Sequence, residues 1–439
     1  MRINRLILTN YRRFKSLDIN FHPKLTVLVA RNGYGKTAVL EAITSAFGTF
    51  TGAFDLGKAR HIEHSDVRMP PIKDSTGATD SEPMYPVKIE AWGEFEGDVQ
   101  HWFRELTGPK NKTTIKHAAP ITSYGKSLQN RIRDEKDLPL PLIAYYGTSR
   151  LWQTHRFMTR KKVIRASRSI GYEDCFSSAS NYKQLQQWFR KASLALLQEQ
   201  QLDGEKKEEI GNQLSSIRTA VDTVLQAEGW HNLHYNLALE DMAMRHREYG
   251  VLPVALLSDG VRSIVTLTAD IAFRCTKLNP QFAQYTATKT TGIVLIDEVD
   301  MHLHPSWQQR VVSGLCDAFP CLQFIVTTHS PQVLSTVKRE NIRLFDINAD
   351  GIDVAAIPLA TSYGEPSSTV LQAVMDVDPQ PPVPEKGDLD KLTELMEQGL
   401  YDTEEAKKLL EQLKQSLDST HPQLRRIERS IRRIAMLGL

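Results

Sequence analysis

The sequence predicts an α/β fold: a mixed central sheet flanked by helices, with a helical insertion and a C-terminal helical tail. Two stretches carry that prediction. In Gly292 to Pro305, GIVLIDEVDMHLHP, four apolar residues, Ile293 to Ile296, run into the adjacent carboxylates Asp297 and Glu298. A short, mostly β-branched run bounded by glycine reads as a central strand buried on both faces. Carboxylates at the end of such a strand are costly to place unless a cation lies opposite. The second stretch, Ala30 to Thr37, ARNGYGKT, follows another apolar run, opens a helical pattern and supplies that cation in Lys36.

A chain of 439 residues can bury a large core, enough for one big domain with additions. Its 41% hydrophobic and 24% charged content is ordinary for a globular protein. The net charge of +2 neither favours nor excludes a nucleic-acid partner, since a local basic patch is enough. Cys175, Cys275, Cys316 and Cys321 show no CxxC or zinc spacing and read as thiols in a reducing compartment. No apolar run approaches the roughly 18 residues of a membrane span, and the first residues, MRINR, hold no signal-peptide core. The expected location is the cytoplasm, with no membrane partner.

Arg2 to Leu8 and Leu17 to Phe21 alternate like strands, with Asn10 to Phe14 as a polar corner between them. Lys24 to Ala30 is the third strand. The helix from Lys36 to about Phe47 carries Val39, Leu40, Ile43 and Phe47 on one face. Gly48 to Pro86, rich in Gly, Pro, Ser and Asp, reads as a long surface excursion. Val87 to Phe95 and Leu142 to Tyr146 read as strands. A basic cluster follows (Arg156, Arg160, Lys161, Lys162, Arg165, Arg168), then helical patterns near Tyr182 to Gln200 and Glu205 to Ala227. Trp230 to Leu239 is expected to return to the sheet. Val261 to about Leu278 and Trp307 to Ala318 read as helices, and Gln323 to Thr328 as a buried strand. Ile342 to Ile347 and Ile352 to Ile357 close the sheet. Beyond the stiff PQPPVP linker from Pro379 lies the tail, where Asp402-Thr403-Glu404-Glu405 offers an N-cap with a glutamate at the third helical position.

Ala30 to Thr37 is close to the phosphate loop G-x-x-x-x-G-K-[ST], whose backbone amides and lysine cradle phosphates while its hydroxyl holds Mg²⁺. Asn32 sits within it; Gly33 and Gly35 allow the bend, and Lys36 is a point charge for terminal phosphates. Thr37 is a candidate Mg²⁺ ligand. Ala30 replaces the first glycine and fits if its φ is negative. Asp297 would hold Mg²⁺, directly or through water, and Glu298 would act as general base toward the attacking water. Leu257-Ser258-Asp259-Gly260, placed before a helix, offers a hydroxyl, a flexible glycine and a helix N-terminus to a γ-phosphate. His329 ends a strand after two threonines, a place suited to sensing that phosphate. His302 and His304 lack a third metal ligand and read as structural or interface residues. The ordinary alternatives are a plain strand–helix turn, a capped strand end, a simple N-cap and a satisfied structural histidine.

In order, NYRRF, NGYGKT, LSDG, LIDEVDMHLHP and TTHSP resemble the ATPase heads of the SMC, RecF and OLD group, ABC-type P-loop ATPases that act on DNA. The resemblance spans roughly Met1 to Ile357. It implies an ABC-type P-loop NTPase head that takes ATP and Mg²⁺ and hydrolyses ATP. It places Arg12 and Arg13 near the nucleotide and Gly33, Lys36 and Thr37 in Walker A. Asp297 and Glu298 become Walker B, with His329 the switch histidine. Ser258 and Gly260 act in trans, so the site is closed by a second copy. The Q-loop glutamine has no clear equivalent, although Tyr146 to Arg150 lies where it is expected. The insertion is too short for SMC coiled coils, and too few residues follow His329 for the metal-binding Toprim domain of OLD nucleases. The remaining pattern is similar to PtuA-type ATPases of Septu and retron anti-phage systems, in which a separate HNH nuclease docks on the ATPase.

The expected organisation is therefore an N-lobe over 1–150, a helical insertion over 151–228, a C-lobe over 229–378 and a linker with a partner-docking tail over 379–439. DNA or a retron nucleic acid is a possible further partner. In the tail, Leu424, Ile427, Ile431 and Ile434 share one face, ringed by Arg425, Arg426, Arg429, Arg432 and Arg433. It reads equally as a helix packed on its own domain or as a docking helix for a protein or a nucleic-acid backbone. The alternatives are a RecF-like repair ATPase without a nuclease partner, a transporter subunit and a nuclease in its own right. The transporter is disfavoured by NYRRF and His304-Pro305, the nuclease by the lack of a carboxylate cluster.

Overall fold

Buried strands in this chain end where its chemistry begins. The computed structural model describes residues 1–73, 79–148, 167–177, 182–197, 204–349, 351–418 and 420–437. They divide into two units, Met1–Met375 and Asp376–Leu439. The first unit opens with strands β1 (Arg2–Tyr11), β2 (Phe14–Asn20) and β3 (Leu25–Val29) and helix α1 (Lys36–Ala46). Strands β4 (Val87–Phe95), β5 (Asp98–Leu106) and β6 (Leu142–Tyr146) follow, then helices α2 (Tyr182–Leu197) and α3 (Gly204–Leu225). Next come β7 (Trp230–Asn236), β8 (Asp241–His246), β9 (Gly250–Pro253) and helix α4 (Asp259–Leu278). β10 (Gly292–Ile296), α5 (Val311–Ala318), β11 (Leu322–Thr327), β12 (Ile342–Ile347) and β13 (Asp353–Ala356) complete the unit.

The central sheet runs β13-β12-β3-β11-β10-β6. Its pairs are parallel except the antiparallel edge pair β12–β13. β3, β6, β10 and β11 are buried at every position, as strands covered on both faces must be. Gln323 is one of two buried polar residues in β11, with Thr327 at its end. Its amide accepts from Ile3 N–H at 2.9 Å and donates to the Ile3 and His22 carbonyls at 2.8 and 3.0 Å. That satisfies the buried amide and ties β1 to the central sheet. β1 belongs to a separate antiparallel sheet, β2-β1-β4-β5. There β4 alternates buried and half-buried residues, as a sheet with one covered face requires.

Four local expectations are corrected. The corner after β1 is a tight hairpin: Tyr11 pairs with Phe14 and both are buried, leaving Arg12 and Arg13 as its turn. The stretch from Gly48 is not a surface excursion, because Phe50, Phe54, Ile62 and Val67 are core residues that glycines and prolines hid from any periodic pattern. The run from Trp230 pairs in its own sheet, β9-β8-β7, and not in the central one. The helix expected from Trp307 is two pieces, a turn at Pro305–Gln308 and α5 from Val311. Arg156, Arg160, Lys161, Lys162 and Arg165 lie outside the described residues. Arg168 is a clamp, donating to the carbonyls of Leu278 at 2.8 Å, Lys136 at 3.1 Å and Leu138.

A buried polar network locks α4 to the central sheet. Tyr146, the last residue of β6, donates its hydroxyl to Asp270 at 2.7 Å. Arg274 donates to the same carboxylate oxygen at 2.8 Å and to the carbonyls of Gly171 and Glu173 at 3.0 and 2.9 Å. Each charge is thus paired and hydrogen-bonded in the interior.

The second unit is a helical group: α6 (Lys386–Glu397), α7 (Glu404–Ser416) and α8 (Pro422–Leu437). Leu389, Leu392, Ala406, Leu409, Leu413, Leu424 and Ile427 form its core. The cap of α7 falls on Thr403, whose hydroxyl accepts from Ala406 N–H at 3.3 Å, one residue later than an Asp402 cap would place it.

Asp270→Ala leaves Arg274 buried without its counter-charge and should cost about 3–5 kcal/mol of stability. Tyr146→Phe, which removes one hydroxyl, should cost about 1 kcal/mol. Urea midpoints read by circular dichroism check both values.

Candidate nucleotide site

β3 delivers the chain into the loop at Ala30, which does not have a positive φ; Gly33 and Gly35 do, at +79° and +85°. Gly35 is the N-cap of α1, so the first amides of that helix have no intrahelical partners and form a seat for an anion. A Cβ at Gly35 would lie 2.4 Å from Phe14 Cζ. The buried hairpin phenylalanine under the loop therefore requires glycine there for space as well as for backbone conformation. Asn32 is exposed at the tip of the loop.

Lys36 is buried, and its ammonium donates to the Ala30 carbonyl at 2.9 Å and the Arg31 carbonyl at 3.4 Å. Burial lowers its pKa, opposed by the fields of Asp297, Glu298 and Asp300. The three acids of the DEVD turn therefore face this lysine across the site.

The acids are held by hydroxyls. Asp297, 2% exposed, accepts from Thr37 Oγ1 at 2.8 Å through Oδ2 and from Thr327 Oγ1 at 2.6 Å through Oδ1. Its N–H donates to the Tyr146 carbonyl at 2.8 Å. Glu298 adopts φ +47°, and its N–H donates to Thr327 Oγ1 at 2.7 Å. A left-handed glutamate turns the chain sharply away from the sheet, and the Thr327 contact holds that strained residue in place. Thr328 Oγ1 donates to Asp300 at 2.5 Å. β11 thus ends in two threonines that fix the acids, followed by His329. Burial and then the Lys36 charge hold the His329 pKa below the usual histidine range, against the pull of Asp300, Glu298 and Asp297.

The two hairpin arginines part company. Arg13 donates to the Gly33 carbonyl at 3.0 Å and to Asp353 at 2.9 Å, and stacks 4.3 Å over the Tyr34 ring. It joins the phosphate loop to the antiparallel edge strand β13. Arg12 turns to Asp66 at 2.9 Å and to Glu41 of α1. Ser258 is the N-cap of α4 without a side-chain cap bond. A Cβ at Gly260 would lie 2.5 Å from the His302 carbonyl, so α4 begins pressed against the turn that follows Glu298. Among the described residues, no hydrogen bond joins Ser258 to Lys36, Thr37 or Asp297. His304 caps the turn at Pro305 by accepting from Ser306 N–H at 3.3 Å.

The donor set suits Mg²⁺. A threonine hydroxyl and a carboxylate oxygen, 2.8 Å apart, are hard ligands that leave most of an octahedral shell to water and phosphate oxygens. Among the described residues no cluster of three or more His, Cys, Asp or Glu forms an all-protein metal cage.

Thr327, Thr328, Asp300 and Asp353 escaped the sequence reading. For the threonines a signal existed: hydroxyls on the neighbouring strand are natural partners for acids at a buried strand end. Asp353 meets Arg13 across 340 positions and carries no local mark. Thr327 is a positioning residue, so Thr327→Val should cut ATP turnover by about 10–100-fold. Nucleotide affinity, set mainly by the loop, should change little, and fluorescent-nucleotide titration alongside phosphate release checks both.

Residues 5–226 match the AAA_23 family model, an AAA domain. The retron Vc95 probable ATPase of Vibrio cholerae serotype O1 biovar El Tor is 25% identical, over 87% of this chain and 80% of that protein. Septu protein PtuA of Bacillus mycoides (strain KBAB4) is 47% identical over 75 residues, 17% of this chain and 10% of its own. The SMC head domain from Thermotoga maritima superposes with a TM-score of 0.42 and 16% identity, over 82% of this chain and 100% of that one. The chain belongs to the AAA domain family, with a retron probable ATPase and a Septu protein among its relatives.

Proposed function

We propose that ATP and Mg²⁺ occupy the space between the phosphate loop and the DEVD turn, and that two copies of the chain close around the nucleotide. The observation that carries this reading is the 2.8 Å contact between Thr37 and Asp297, residues 260 positions apart and each a ligand type for Mg²⁺. The amides at the start of α1 and the Lys36 ammonium take the phosphates, with Asn32, Gly33 and Gly35 shaping the loop. Thr37 and Asp297 hold the metal, which neutralises charge on the phosphates. Glu298 accepts the proton of the attacking water, and His329, held neutral, donates a hydrogen bond toward the γ-phosphate. Arg13 steadies the loop through Gly33, and Arg12 sets α1 through Glu41. Ser258 and Gly260 of each copy complete the other copy's site, in keeping with a Ser258 N-cap whose hydroxyl makes no cap bond of its own.

The association governs a partner, read from the resemblance to PtuA-type ATPases as an HNH-type nuclease in anti-phage defence. The chain is organised as an N-lobe (1–150), insertion (151–228), C-lobe (229–378) and docking tail (379–439), and works in the cytoplasm. Among the described residues no helix is long and apolar enough to cross a membrane.

Glu298→Gln should reduce turnover by about 100-fold or more while nucleotide stays bound. Lys36→Ala should lose both binding and turnover. In sedimentation velocity, Glu298→Gln with ATP and Mg²⁺ should run as a dimer that chelation with EDTA dissolves, and Lys36→Ala should not. Equal turnover in wild type and Glu298→Gln overturns the general-base role.

A further inference from the structure

We propose that the exposed arginine face of α8 is a docking surface for the phosphate backbone of a nucleic acid. The helix is two-sided. Leu424 and Ile427 are buried in the core of the second unit, and Ile431 packs against it. At 100° per residue, Arg425, Arg426, Arg429, Arg432 and Arg433 fall within an arc of about 120° on the other side. All five are exposed.

The stripe is offset only in part by its surroundings: Glu428 feels Arg425 and Arg432, and Asp418 feels Arg425. Elsewhere in the unit four of the five lysines are paired: Lys386 with Asp378, Lys391 with Glu405, Lys407 with Asp402 and Lys414 with Glu428. Glu428, the acid within α8, is thus already engaged by α7. Among the described residues, none of the five arginine side chains makes an ion pair or hydrogen bond within the unit. Like charges three and four positions apart on a helix repel. The fields of Glu428 and Asp418 reach only Arg425 and Arg432, so most of this repulsion is left for an external polyanion to relieve.

The choice between a nucleic acid and an acidic protein turns on what lies between the arginines. A protein interface is anchored by a buried aromatic or aliphatic cluster inside a polar rim. From Arg425 to Arg433 the apolar residues are Ile427 and Ile431, and both turn inward. A phosphate backbone needs no apolar anchor, and guanidinium forks match phosphate oxygens. From Arg425 to Arg433 the helix rises about 12 Å, which at about 3.4 Å per phosphate faces three to four phosphates of one strand. The acidic residues of α6, Asp388, Asp390, Glu394 and Glu397, repel a polyanion.

This surface does not depend on the nucleotide reading, and the test omits ATP. Fluorescein-labelled single-stranded and duplex DNA oligonucleotides are titrated with the full-length protein across a KCl series, followed by anisotropy. Wild type should bind, and weaken steeply as salt rises. The triple variant R425Q/R429Q/R432Q should bind at least tenfold more weakly at low salt, with a log–log salt slope shallower by about three. The single Arg429→Gln should flatten the slope by about one, and Lys408→Gln on α7 should leave affinity and slope unchanged. Circular dichroism and ATP turnover of each variant report folding. Wild type that fails to bind, a triple variant with wild-type affinity and slope, or an equal loss in Lys408→Gln overturns the proposal. So does a triple variant that keeps DNA binding but loses a co-expressed nuclease or its own self-association.

Discussion

The structure depends on keeping one carboxylate charged where water does not reach it. Asp297 is 2% exposed, at the end of a strand with nothing polar before it. The Thr37 and Thr327 hydroxyls donate to it, and its field opposes the fall in the Lys36 pKa that burial causes. The two donors come from different elements: Thr37 from the start of α1, Thr327 from the end of β11. A carboxylate in that position is tolerable only when those elements are in register. The parallel pairing of β3, β11 and β10 sets that register, so the order of strands in the sheet is in effect the assembly instruction for the site.

The same residues link the site to the rest of the unit. Tyr146 accepts from Asp297 N–H with its carbonyl and donates to Asp270 with its hydroxyl. Asp270 lies on α4, the helix that Ser258 begins. A shift of β6 against β10 is therefore felt at both the acid and the signature helix. Gly260, within contact distance of the His302 carbonyl, closes the loop from the other end of the DEVD turn. The Tyr146 contacts are buried, and close-packed contacts transmit a small displacement without absorbing it.

How much of this was legible follows from the range of each interaction. The buried strands, the phosphate loop and the paired acids were readable because each is defined by consecutive residues: an apolar run, a glycine-spaced loop, two adjacent acids. The long helix of the insertion was readable from its period, and appears as α3. What was hidden is non-local. Phe50 and Phe54 pack against Tyr124 and Tyr172, partners far along the chain and separated from them by glycine-rich sequence. The run at Trp230 alternates as a strand must, but alternation does not say which sheet it joins. Arg12 and Arg13 looked equivalent in sequence, yet the tight turn between β1 and β2 sends neighbouring side chains in different directions. One faces α1 and the other the loop.

Arg13 shows what such non-local contacts add to a recognisable motif. By itself the loop is a glycine-containing segment that belongs to neither the strand before it nor the helix after it. Arg13 takes the Gly33 carbonyl, and Asp353 fixes the other end of the guanidinium, so the loop is braced from the antiparallel edge of the sheet. Tyr34 lies beneath the same guanidinium and adds a stacking contact. A braced loop loses less conformational entropy when it closes on phosphates than a free one. The brace also leaves the amides of α1 unobstructed, because it grips the loop by a carbonyl rather than by an N–H. The last antiparallel strand of the chain, which touches none of the motif residues by sequence, therefore belongs to the site through a single ion pair.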